Sequence, residues 1–190
     1  MKLRIENSEA KDVLFGNSFC TPVYDGEWVS LNLTVDKQKL SNWCWAAIGV
    51  SLCRYYNQKE VSQEFIAAAI FSVSDDENNI LNNKEFNTDQ RLDKVLEIIS
   101  CFSHWSLGKP SFDRIKVEIN NGRPVCVRIQ WYKGGSHYVV IKGYRDKDTS
   151  LQIEDSLTGY DECFHDDFPK KYKNTGAVWI ETFWTEKTDI

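Results

Sequence analysis

The chain lacks several features that would settle its class at once. No apolar run approaches the ~20 residues that cross a bilayer, and the opening MKLRIENSEA holds no apolar segment of secretory-signal length. The expectation is a cytoplasmic protein, or one exported without a cleaved signal, with no membrane partner. Histidines number three and no Cys-x-x-Cys pair occurs. The usual spacing of zinc ligands is therefore missing, and no metal is expected. Four prolines, no low-complexity stretch and no internal repeat leave no obvious linker. The sequence reads as one domain, 1–190. Positive charge is scarce too. The formal net charge is −5 and the one compact basic cluster is PKKYK, from Pro169 to Lys173, so no nucleic-acid partner is expected.

What is present is an ordinary globular composition, 42% hydrophobic and 27% charged, which argues against disorder. Six cysteines stand far apart: Cys20, Cys44, Cys53, Cys101, Cys126 and Cys163. In a reducing compartment most would be small buried residues. A bond between the two loop cysteines, Cys20 and Cys163, is the one pairing left open.

Periodicity divides the chain into a helical part and a strand part. Residues 1–26 read as irregular, with a short strand at Leu3–Ile5. Glu27–Val35 alternates, placing Val29, Leu31, Leu33 and Val35 on one face of a half-buried strand. Ser41 or Asn42 can cap a helix running to about Tyr56, apolar nearly all round and hence central. Further helices are expected at 62–71, after a Thr88 cap with a Leu92, Val95, Leu96, Ile99 stripe, and from Ser111 to a Gly122 C-cap. Asp75–Lys84 reads as a polar loop. Strands follow at 124–131, 136–144, 151–155 and 177–184. Helices first and strands last predict an α+β fold, a helical half packed on an antiparallel sheet, with a ligand cleft between them.

Cys44 sits between Trp43 and Trp45 where the central helix begins. Taken alone it suits a core residue, half a disulfide, a metal ligand or a nucleophile. A nucleophile needs its thiolate stabilised, by a helix N-terminus and by an imidazolium. The helix start supplies the first condition. For the second, His137 opens the apolar strand Tyr138–Ile141 after Gly134, Gly135 and Ser136, whose small residues let backbone approach. His104, beside Trp105 at the end of the third helix, suits packing, and His165 reads as a loop residue. If 138–144 and 151–155 form a hairpin of even register, Asp155 returns to His137 as its orienting carboxylate. Glu154, on the other face, is the fallback. Gln38, six residues before Cys44, can join the Cys44 backbone N–H as an oxyanion donor. One of the two tryptophans can line the cleft while the other packs in the core. A tail around Val13–Ser18 places Gly16 as an accessible self-cleavage bond, against the plainer reading of a docking strand or frayed end.

Gln38, the run NWCWA from Asn42, the strand GSHYVVIKGY from Gly135 and Asp155 resemble papain-like cysteine peptidases. The likeness is to compact bacterial members, the double-glycine leader peptidase-like domains and the avirulence-type effector proteases. It covers about residues 36–156, including NGRPVCVR from Asn121. It implies a papain-like fold, a central nucleophile helix packed against an antiparallel sheet lobe, and a protein or peptide substrate. It also implies Cys44 as nucleophile, His137 as general base and acid, Asp155 as orienter and Gln38 in the oxyanion hole, with no cofactor. Two departures stand out. Leader peptidases often carry Asp-Pro at the orienter, whereas Ser156 follows Asp155, and papain-type enzymes use Asn there. The same site also suits deamidation, transglutamination or peptide cyclisation, or a silent peptide-binding module.

Overall fold

The computed structural model describes residues 20–74 and 76–187; the expectations for Leu3–Ile5, Gly16 and Asp75 lie outside them. In chain order the elements are β1 (Val23–Asp25), β2 (Trp28–Ser30), α1 (Cys44–Asn57), α2 (Gln63–Phe71), α3 (Glu77–Asn82) and α4 (Leu92–Ile98). Then come β3 (Phe102–Leu107), α5 (Phe112–Asn120), β4 (Val125–Trp131), β5 (Ser136–Arg145), β6 (Ser150–Asp155), β7 (Gly159–Phe164) and β8 (Ala177–Thr185). Every strand pairing is antiparallel, in the order β1-β2-β5-β4-β8-β3, with β6 and β7 branching from β5. The fold is α+β, a helical layer on one antiparallel sheet. Among the described residues no helix is long and apolar enough to cross a membrane.

Helix α1 is the centre because its sequence is apolar on every side. All its residues but Arg54 and Asn57 are buried, and each large side chain among them contributes roughly 1.5–3 kcal/mol of burial. Gly49 sits mid-helix because α4 presses close: a Cβ there would lie 2.6 Å from Val95 Cγ1. The alternation at 27–35 puts Leu31, Leu33 and Val35 in the core, yet only Trp28–Ser30 is paired strand. Beyond it the chain is an extended strap, held by Leu31 N–H on the Lys142 carbonyl and Val35 N–H on Glu154 Oε2.

Several local expectations are corrected. The polar loop at 75–84 contains α3, because Asp76 caps it by accepting from Asn78 and Asn79 N–H, and Ile80 anchors it in the core. Neither Ser41 nor Asn42 caps α1, and Thr88 does not cap α4, whose N-cap is Arg91 without a side-chain bond. By contrast, Ser62 and Ser111 accept from Phe65 and Arg114 N–H as caps. His104 lies in β3, an edge strand that the sequence reading missed along with β7 and the β1–β2 hairpin; it stacks on Trp184 at 5.8 Å. Cys20 and Cys163 are both free thiols.

Candidate active site

The start of α1 is held by its neighbours rather than by a cap. Trp43 Nε1 donates to the Phe86 carbonyl at 2.8 Å and Trp45 Nε1 to the Thr88 carbonyl at 3.0 Å. Asn42 N–H donates to Asn87 Oδ1, and Asn42 Nδ2 to the Asn87 carbonyl. The turn before Cys44 is thereby stapled to segment 86–88. Both indoles are 0% exposed, so the expectation that one lines the cleft is corrected. Each has an apolar body that packs and one N–H that the backbone carbonyls satisfy. Cys44 is left as the first residue of α1, at the end where backbone N–H groups have no intrahelical partner. It is itself 3% exposed.

His137 reaches the thiol from the second residue of β5. Its Nε2–H donates to Asp155 Oδ1 at 2.8 Å, and the Cys44 side chain is a hydrogen-bond partner of the same ring. With Nε2 on the carboxylate, Nδ1 is the nitrogen left for sulfur. Burial alone would lower the His137 pKa, but the hydrogen bonds and charges of Asp155 and Cys44 outweigh it and push it up to about 9. Burial alone would raise Asp155. The His137 bond and charge, the Leu157 N–H and the Tyr172 hydroxyl instead bring it down to about 2. The register explains the meeting: Glu154 pairs with Val140, so Asp155 returns two residues from His137 on the same face. Glu154 points to the opposite face, accepting from Val35 N–H and Lys142 Nζ.

Gln38 lies beside the turn before Cys44. Its Nε2 donates to the Leu40 and Ser41 carbonyls at 2.9 and 2.7 Å, and its Oε1 accepts from Ser156 Oγ at 2.8 Å. Both amide hydrogens are thus engaged, and an oxyanion must displace one carbonyl to receive a bond. Gly134 and Gly135 have φ of 97° and 82°, with nothing within 4 Å of an added Cβ. Their role is the left-handed turn between β4 and β5, not a close backbone approach. Ser136 Oγ accepts from Arg128 Nη2 at 3.3 Å on the rim beside His137.

Two aromatic residues escaped the sequence reading. Trp131 stacks on His137 with ring centroids 6.2 Å apart, and on Tyr172 at 5.9 Å and 6°. Tyr172 Oη donates to Asp155 Oδ2 at 2.9 Å. No local pattern marks Tyr172, because only the turn at 165–176 folding back brings it here. Among the described residues, no group of three His, Cys, Asp or Glu side chains is gathered as metal ligands would be. The arrangement is one thiol, one protonatable ring and one buried carboxylate in line, suited to nucleophilic attack with proton transfer.

The model of the Peptidase C39-like family matches residues 30–180. Among solved structures, xylellain, a cysteine protease from Xylella fastidiosa, is 11% identical with a TM-score of 0.52, covering 89% of this chain and 91% of its own. A double glycine motif protease from an AMS/PCAT transporter, solved in complex with the leader peptide, is 19% identical with a TM-score of 0.49, covering 86% and 96%. The Pseudomonas avirulence protein AvrPphB is 8% identical with a TM-score of 0.41, covering 82% and 98%. A comparison with curated proteins finds no significant match. The likeness to xylellain shows the fold, which is papain-like.

Proposed function

Because this chain belongs to the Peptidase C39-like family and is a papain-like cysteine protease, we propose that it cleaves peptide bonds through Cys44, His137 and Asp155. The observation that carries this reading is His137 standing between the Cys44 thiol and the Asp155 carboxylate. With its pKa pushed up to about 9 by Asp155 and Cys44, the His137 ring holds a proton that it can give to a leaving group.

The sulfur attacks the substrate carbonyl carbon, and the C=O π electrons move to oxygen. That oxyanion is received by the Cys44 backbone N–H and by Gln38 Nε2, which gives up one carbonyl contact to do so. His137 passes its proton to the leaving amine as the C–N bond breaks, giving a thioester. Water then attacks the thioester while His137 takes its proton. Collapse expels the Cys44 sulfur and releases a carboxylic acid. Asp155 keeps Nε2 protonated and Nδ1 aimed at sulfur throughout. Exposed Gly135 and half-buried Ser136 form the rim a peptide would pass over.

The test is alkylation followed by digestion of a peptide library. Iodoacetamide is expected to modify Cys44 ahead of Cys20 and Cys163, whose thiols are held high by burial, and His137→Ala should erase that preference. New peptide termini should appear with the wild-type chain and be absent with Cys44→Ala. If Cys44 reacts no faster than Cys20 or Cys163, the nucleophile assignment fails. A one-dalton gain or ammonia loss without cleavage would replace the peptidase reading by an acyl-transfer one.

A further inference from the structure

Asp155 is bonded through both of its oxygens. Oδ1 accepts from His137 and from Leu157 N–H at 2.8 Å, while Oδ2 accepts from Tyr172. The phenol, 1% exposed, needs an acceptor, and what it meets is the carboxylate oxygen that His137 does not use. We propose that Tyr172 is a positioning residue of the site, holding Asp155 Oδ2 so that Oδ1 stays aimed at His137 Nε2. The inference rests on the assignment of Cys44, His137 and Asp155 above.

The surroundings fit that role. Trp131 lies nearly parallel to the Tyr172 ring and also stacks on His137, so one indole spans the two side-chain donors of the carboxylate. Phe168 closes the other side of Tyr172, edge-on at 5.1 Å. The turn carrying Tyr172 continues through Lys173 and Asn174 at positive φ, 50° and 59°, a conformation that persists when packing dictates it. The charged and titratable groups around the pair are few. Cys44 faces His137 from α1; Asp161 of β7 acts on Tyr172; Lys173 lies 5.1 Å from the Tyr172 ring centroid and pairs with Asp161 at 2.9 Å. Burial first, then the Asp155 charge and hydrogen bond, keep the phenol protonated against an opposing Thr158 side-chain bond, so its hydrogen is available to Asp155.

The test follows the rate of Cys44 alkylation by iodoacetamide against pH, from about pH 2 to 10, in the full chain. Tyr172→Phe removes the hydroxyl and leaves the ring stack. Asp155 then loses a donor to its charged form and protonates earlier on acidification. The acid limb should rise by about one pH unit, the usual worth of a hydrogen bond to a charged group. Fluorinated tyrosine at position 172, a stronger donor that keeps the fold, should move the limb the other way. If Tyr172→Phe does not fold, the fluorinated chain decides alone. A purely structural tyrosine would lower the melting temperature and leave both limbs where they are, and that result overturns the proposal. A wild-type limb near the ordinary thiol value, about 8.5, overturns the catalytic assignment and the proposal with it. A normal wild-type limb that neither variant moves overturns the proposal alone.

Discussion

Trp45→Phe tests whether the indoles hold the start of α1. Trp45 is 0% exposed and its N–H is bonded to the Thr88 carbonyl at 3.0 Å. The substitution removes that donor and leaves the carbonyl without its partner, a loss of about 1–3 kcal/mol. It also leaves part of the indole volume empty, because Trp43 on one side and Phe71 on the other, with centroids at 5.9 and 6.2 Å, cannot both collapse into it. That cavity adds roughly 1–2 kcal/mol. The sum, about 2–5 kcal/mol, corresponds to about 5–15 °C for a chain of this length. The assay is thermal unfolding by circular dichroism, run beside the Cys44 alkylation rate at 25 °C. A melting point within about 2 °C of wild type would refute the reasoning, since losing a part-buried hydrogen bond and opening a cavity at a fully buried indole site cannot be neutral. A large loss of stability with an unchanged alkylation rate would show the clamp to serve folding and not the placement of sulfur.

Gly49→Ala pits about 1 kcal/mol of helix propensity against a Cβ at 2.6 Å from Val95 Cγ1. Overpacking costs about 1–3 kcal/mol, so a net loss in urea unfolding is expected, and a gain would show that α4 yields freely. Gln38→Ala is expected to cut kcat on a cleaved peptide by about 10²–10³ with little change in KM; a loss under about tenfold would reduce Gln38 to a brace. The His137–Asp155 pair makes stability depend on pH. His137, raised from 6.5 to about 9, contributes fully below 6.5 and loses that contribution as pH rises through 9. Asp155, lowered from 3.8 to about 2, contributes fully above 3.8 and loses it as pH falls through 2. The stability gap between wild type and Asp155→Asn should therefore be widest between about pH 4 and 6.5, and a gap still growing at pH 9 would contradict the pairing.

What the sequence made legible follows from range. The apolar surround of α1, the helix start at Ser111, and the strands β4, β5, β6 and β8 all carry their signal within a few consecutive residues. The edge strands β3 and β7 do not, since their faces are largely exposed and no apolar alternation is required of them. His137 and Asp155 were legible as a pair because a strand, a short turn and a register of fixed parity tie them to one face, whereas Cys44 and Gln38 were singled out by the helix start and its approach. Tyr172 was not, because its bond to Asp155 depends on how 165–176 returns over the sheet. The tryptophans show the same limit. The sequence left one of them free to line the cleft, because the carbonyls that they hold, Phe86 and Thr88, are more than 40 residues away and carry no side-chain signature.

The place of β8 bears on when the protein becomes an enzyme. It is the last described strand along the chain, yet it lies inside the sheet, between β4 and β3, pairing Val125–Trp131 over most of their length. Until residues 177–185 have left the ribosome, β4 has an open edge on the side away from His137, and Trp131 lacks the neighbour opposite it, Ala177. A chain made at roughly 5–20 residues per second therefore carries Cys44 long before it carries the surface that supports His137. On the proposed assignment, the nascent chain therefore carries its thiol before the sheet that supports His137 is complete.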